Sequence, residues 1–319
     1  MFFLHRAKRQ VLKNKNTALP QELEPSVEFI DQVIKTVKKN FIIGPIYSKE
    51  HTRIKDDSFI RSSNSITNTN FSAAAGPKNE KDLINFFKDT VFHDPPISCI
   101  IAIGDRLSEL DTCPSGIDFL NYYMKKNSYT VGHYCITRKH LNGSYSFHHE
   151  NKVSKPNIFT ESEIMVSKKE VDKNIKVIGL ELKDGSYIDL NSDVTHQKKE
   201  ILWKIFRISS EHSVFVHCKH GHGRTGHLIL TMEILRNYST IFSSDDPDVT
   251  AERILKILDN MRQQRPGLVH SVKQITEAIN NAIILRRYGI EKGYEFPKAD
   301  SEYLNLGSIG QNNIACDVG

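Results

Sequence analysis

Two kinds of apolar pattern alternate along this chain. In SVEFIDQVIKTVKKNF, from residue 26, and in EKDLINFFKDTVF, residues 80–92, apolar positions recur every three or four residues, which predicts amphipathic helices. ISCIIAIG, residues 97–104, is instead an unbroken β-branched run, the pattern of a strand covered on both faces. IKVIGLEL, residues 175–182, predicts another such strand, and HSVFVHC a third that runs straight into a glycine-rich loop. HQKKEILWKIFRIS, TGHLILTMEILRNY, VTAERILKILDNMRQQ and SVKQITEAINNAIILRRY return to the helical period. Strands alternating with helices in this order predict an α/β fold, a central mixed, largely parallel sheet flanked by helices. Residues 119–170, with NGSYSFHHENKVSKPN among them, show no clear period. The pattern divides the chain into a basic extension (1–24), a folded body (25–292) and a C-terminal tail (293–319).

With 319 residues, 39% hydrophobic and 25% charged, the chain has the composition of a globular protein that buries a large core. No apolar run is long enough for a membrane span, and MFFLHRAKRQ places its apolar residues before its charges, the reverse of a secretory signal. A cytoplasmic address is expected. Cys99, Cys113, Cys135, Cys218 and Cys316 are scattered and never form C-x-x-C, so neither a disulfide framework nor a zinc ribbon is indicated. Of the net charge of +5, Arg6, Lys8, Arg9, Lys13 and Lys15 all precede the first acid, Glu22. This segment reads as a solvated tail or as a contact with an anionic membrane, Phe2, Phe3 and Leu4 dipping in. No nucleic-acid partner and no cofactor are expected.

The densest chemistry lies in HCKHGHGRTG, residues 217–226. His217, Cys218, His220 and His222 are competent zinc ligands, yet they crowd the end of one strand, where alternation points His217 and Cys218 apart. No metal is expected. A phosphate cradle accounts for every residue type in the motif. A strand ending in cysteine, a loop with Gly221 and Gly223, and a helix starting near Arg224 aim backbone N–H groups and a helix dipole at one point. That field holds an anion and favours a thiolate over a thiol, and Arg224 can grip two phosphate oxygens at once.

The motif fits H-C-x-x-x-x-x-R-[ST]-G, and on it the chain resembles the cysteine-based protein tyrosine phosphatase superfamily. FSAAAGPKNEKDLINFF, IIAIGDRLSEL, RQQRPGLVHSVKQ and KNFIIGPIYSKEHTRIKDD are similar to segments of its tyrosine-specific branch. The resemblance implies the phosphatase fold and a phosphocysteine mechanism with Cys218 as nucleophile and Arg224 as the phosphate-binding arginine. Phosphate would lie against Lys219, His220, Gly221, His222, Gly223 and Arg224, with His217 and Thr225 supporting the thiolate. Asp184, in LELKDGSY, falls where the family carries its general acid, Asp189 and Asp193 being the competing assignments. Glu109 would orient Arg224, and Gln274 and His270 would position water for the second step.

The chain departs from the family at three places: Leu182-Lys183 replaces Trp-Pro before the acid, His270 stands for a glutamine, and Ile43 stands for the substrate-stacking tyrosine unless Tyr47 takes its place. The implied substrate is a phosphotyrosine protein. Lys219 and His222 occupy positions where the lipid-phosphatase branch has lysines, which keeps a phosphoinositide or inositol phosphate open, and the departures keep a phosphate-binding pseudophosphatase open. The divergence also suits a pathogen effector acting in a host cell.

Overall fold

The structure is a computed structural model that describes residues 24–42, 64–65, 69–77, 80–92, 97–104, 128–140, 159–169, 171–182, 185–190 and 195–296. The membrane-contacting N-terminus suggested by the sequence, Ile43, Tyr47, Glu109, Asp184 and Asp193 lie outside the described residues.

The chain opens with α1 (Val27–Asn40), whose start is set by Ser26 accepting the Phe29 N–H and whose Val33, Ile34 and Val37 form the buried stripe. Then come β1 (Asn64–Ser65), β2 (Phe71–Ala75), α2 (Glu80–Thr90) and β3 (Cys99–Gly104). Two hairpins follow, β4 (Ser128–Val131) with β5 (Tyr134–His140) and β6 (Phe159–Lys168) with β7 (Val171–Glu181). The remainder is α3 (Thr195–Glu211), β8 (Val214–Cys218), α4 (Gly223–Arg236), the single turn α5 (Tyr238–Ile241), α6 (Pro247–Gln264) and α7 (Val272–Glu291).

Among the described residues the strands form one eight-stranded mixed sheet in the order β1-β2-β8-β3-β7-β6-β5-β4. The fold is the α/β class expected, with one refinement. Only the joins β2–β8, β8–β3 and β3–β7 are parallel, and the outer joins are antiparallel. β4, β5 and β6 occupy the stretch where the sequence showed no period.

Side chains alternate across the sheet and build two cores. Cys99, Ile101, Ile103, Val214, Val216 and Cys218 face α1, α3, α4, α6 and α7. Ile100, Ala102 and Phe215 face Leu83, Phe86 and Phe87 of α2. β8 is therefore buried on both faces and paired on both edges, which is why its sequence is apolar but for His217. α4, entirely buried from Arg224 to Leu235, fills the helical side directly behind it.

The packed body runs past residue 292, the boundary expected from the apolar pattern. Tyr294 stacks on Trp203 at 5.1 Å, and Phe296 meets the same indole edge-on at 5.0 Å. Tyr288 and Tyr294 both donate their hydroxyls to Glu200, and Arg287 pairs with Glu24 at the other end of the body. Among the described residues no helix is long and apolar enough to cross a membrane.

Candidate functional site

β8 ends in Cys218, whose side chain lies on the helical face and is 3% exposed. His217, one residue earlier, lies on the α2 face, its ring 5.6 Å from that of Phe86. Burial pushes the His217 pKa down to about 3, so the ring is a neutral packing element. The loop after Cys218 curls back on itself, and the Gly221 N–H donates to the Cys218 Sγ at 3.1 Å. Gly221 has φ +68, and a β-carbon there would stand 2.0 Å from the Ala74 carbonyl oxygen of β2, so only glycine fits. At Gly223 a β-carbon would come within 2.9 Å of the Gln274 amide nitrogen. His222 caps α4 without a side-chain hydrogen bond, so the positive end of that helix faces the loop.

Arg265 holds the loop from outside. This buried side chain donates Nε to the Gly221 carbonyl at 2.6 Å and Nη2 to the His220 carbonyl at 3.0 Å. Two loop carbonyls are thereby turned away from the cradle, a requirement for the amides to turn inward. Sequence reasoning assigned Arg265 no role, although it stands in the quoted RQQRPGLVHSVKQ. Arg262, one turn earlier, donates to the carbonyls of Ile42, Leu268 and Val269. Val269, fully buried, has φ +60, a strained conformation for a β-branched residue that these bonds keep in place just before His270.

Arg224, 2% exposed, stands in the first turn of α4. Its Nη1 donates to the Leu182 carbonyl at 2.8 Å. Leu182 directly follows β7, its own N–H donating to the Gly104 carbonyl. The arginine is thus tied to one shoulder of the segment expected to carry the acid, while Glu109, expected to orient it, lies outside the described residues.

On the far shoulder, Gly185 has φ +73 and the chain runs back through Ser186, Tyr187 and Ile188 to Leu190, with Asp189 half-buried among them. Gln274, 1% exposed, accepts the His270 N–H through Oε1 at 2.8 Å and donates Nε2 to the Ser186 carbonyl at 3.3 Å. Its amide therefore spans the floor between His270 and this limb. Two further residues that sequence reasoning missed, His227 and Asn281, hold Ile188. The signal for His227 was present as HGRTGH, one histidine beyond the motif, but nothing local reveals what that histidine faces.

Lys219 is exposed. His222 is half-buried, and its ring stacks on that of His270 at 5.8 Å. Burial, with the neighbouring charges of Arg265, His270 and His220, pushes its pKa down to about 3. Thr225 is fully buried, and its Oγ1 has no hydrogen-bond partner among the described residues.

Comparison with known proteins points the same way as this geometry. The family model for protein-tyrosine phosphatases matches residues 58–283. A tyrosine phosphatase of Trypanosoma brucei, TbPTP1, is structurally similar at a TM-score of 0.51 and 14% identity, over 89% of this chain and 92% of that one. PTPN18, solved in a study of its recognition of HER2 tyrosine phosphorylation sites, aligns at 0.49 and 16% identity over 78% of this chain and 83% of that one. The Trypanosoma cruzi phosphatase TcPTP1 gives 0.45 and 17% over 71% of this chain and 70% of that one. No curated protein sequence matches the chain.

Proposed function

The chain belongs to the protein-tyrosine phosphatase family, and from that premise we propose that it is an active phosphatase that hydrolyses phosphotyrosine on proteins through a phosphocysteine. The observation that carries this reading is the Gly221 N–H donated to the Cys218 sulfur at the mouth of α4, in a loop whose carbonyls Arg265 draws outward. A donor spent on sulfur suits a thiolate, and the same cradle suits a phosphate.

In the first step the Cys218 thiolate attacks phosphorus, the bond to the phenolic oxygen breaks, and Asp184 donates its proton to that oxygen. Arg224 and the loop amides stabilise the charge that develops on the equatorial oxygens. In the second step water attacks phosphorus, Asp184 takes its proton, and the bond to sulfur breaks. Thr225, whose buried hydroxyl has no partner among the described residues, then donates to the departing thiolate. Gln274 and His270, on the floor beside Gly223, position the water.

Substrate choice follows from charge. A polyphosphorylated head group calls for fixed cations on the loop rim. His222 is held neutral against His270, so of these two rim positions only the exposed Lys219 offers a cation, which suits a single phosphate on an aromatic ring.

The test is hydrolysis of para-nitrophenyl phosphate by the native chain, Cys218→Ser and Asp184→Asn, then of a phosphotyrosine peptide against a soluble phosphoinositide. Turnover that disappears with Cys218→Ser, and a peptide preferred over the lipid, are expected. A folded native chain that binds tungstate without turnover would instead make it a pseudophosphatase.

A further inference from the structure

His227 lies one turn beyond Arg224 on α4, on the same face, and is completely buried. Its Nε2 is 3.1 Å from the Ile188 backbone nitrogen and its Nδ1 is 2.9 Å from the Gln274 carbonyl oxygen. An amide N–H can only donate and a carbonyl can only accept, so the ring is neutral with its proton on Nδ1 and its Nε2 lone pair turned to Ile188. Burial supports that form, pushing the His227 pKa down to about 4. Asn281 completes the seat, donating Nδ2 to the Ile188 carbonyl at 2.6 Å. α4 thus grips the segment around Asp184 at both shoulders: Arg224 takes the Leu182 carbonyl before it, and His227 takes the Ile188 N–H after it.

We propose that His227 is a positioning residue for the leaving-group proton transfer, fixing through its Nε2 lone pair the return limb of the loop that carries Asp184. The proposal rests on the reading of Asp184 as the general acid. The phosphate site at Arg224 and the limb that His227 holds at Ile188 then share one helix as their common reference, the condition for aligning a proton donor on that loop with the leaving oxygen.

The two ring nitrogens can be removed separately. His227→Gln keeps an acceptor near the position of Nε2, His227→Asn keeps a donor near Nδ1 but has nothing to offer Ile188, and His227→Leu has neither. On phenyl phosphate, a poor leaving group that needs the acid, Asn and Leu are expected to lower kcat on the order of tenfold to a hundredfold. KM and tungstate affinity stay unchanged, Gln recovers most of the rate, and para-nitrophenyl phosphate shows a smaller loss. In the Asp184→Asn background His227→Leu adds no further loss, because both changes disable the same transfer.

Gln and Asn variants with equal rates, or losses that multiply in the double variant, would overturn the proposal. Asp184→Asn at full activity on phenyl phosphate removes the acid assignment itself. A loss in His227→Leu in that same panel then keeps the latch, with Asp189 on the limb as the acid, and no loss there removes the latch as well.

Discussion

Arg265 shapes the loop after Cys218 from outside it, through the Gly221 and His220 carbonyls. Replacing it with alanine removes the partners of the Gly221 and His220 carbonyls and lets the loop rotate. Arg265→Ala is expected to cost about 1–3 kcal/mol of stability, the price of buried polar groups left unpaired. It should also weaken tungstate binding roughly tenfold, since about 1.4 kcal/mol of lost preorganisation is enough for that. Calorimetric titration against tungstate, beside a thermal melt, measures both, and unchanged affinity would show that the loop keeps its shape without the clamp. The cysteine, the two glycines and Arg224 were legible in the sequence because their chemistry is local, a strand, a curl and a helix start within ten residues. Arg265, His227 and Asn281 were not. A buried arginine past a helix end, or a buried histidine or asparagine on a helix, reads as a surface residue until the distant backbone groups it satisfies are known.

At the scale of the element, α4 carries a second buried charge. Glu233 accepts from Arg236 at 2.8 Å, yet burial outweighs that neighbouring charge and pushes its pKa up to about 7. A carboxyl raised in the folded state contributes stability in full below its unfolded pKa, near the model-peptide value, and loses it as pH rises through 7. The native chain should therefore lose stability relative to Glu233→Gln between about pH 4.5 and pH 7. The buried His217 and His227 and the half-buried His222 act with the opposite sign, since their lowered pKa values stabilise above the ordinary imidazole range and that contribution fades as pH falls toward 3–4. Melting temperatures of both proteins across pH test the first effect, and parallel curves would place Glu233 in a wetter site.

Element by element, the long helices and the buried strands β3 and β8 were legible because their periods are unambiguous over many residues. β2 was missed because FSAAA has weak strand propensity, and the close approach of the Gly221 loop to its backbone at Ala74 leaves no mark in its own residues. The β6–β7 hairpin hid because its turn places Lys169 at φ +55, where glycine or asparagine would have signalled it.

For the whole molecule, among the described residues, the two sheet faces carry unequal loads, six helices, α1 and α3–α7, against α2, and the aromatic clasp of Trp203, Tyr294 and Phe296 seals the larger side. A chain ending at residue 292, where the apolar period stops, lacks that seal. It should lose roughly 2 kcal/mol from the apolar area uncovered, read as a melting temperature lower by roughly 4–8 °C. A chain ending at 296 keeps the clasp and should melt higher than the chain ending at 292 by that amount, and equal melting of the two would make the clasp decorative.

The strand order has a consequence for the history of the chain. β8 lies between β2 and β3, both made far earlier, while the side chains seating the Asp184 loop, Gln274 and Asn281, come from α7, near the end of the body. During synthesis the cysteine therefore emerges before the groups that would give it a partner in catalysis. Contacts of such long range also form slowly. A chain that stops short of α7 carries the Cys218 thiol but not the side chains that hold Ser186 and Ile188, so the site is complete only with the last long helix.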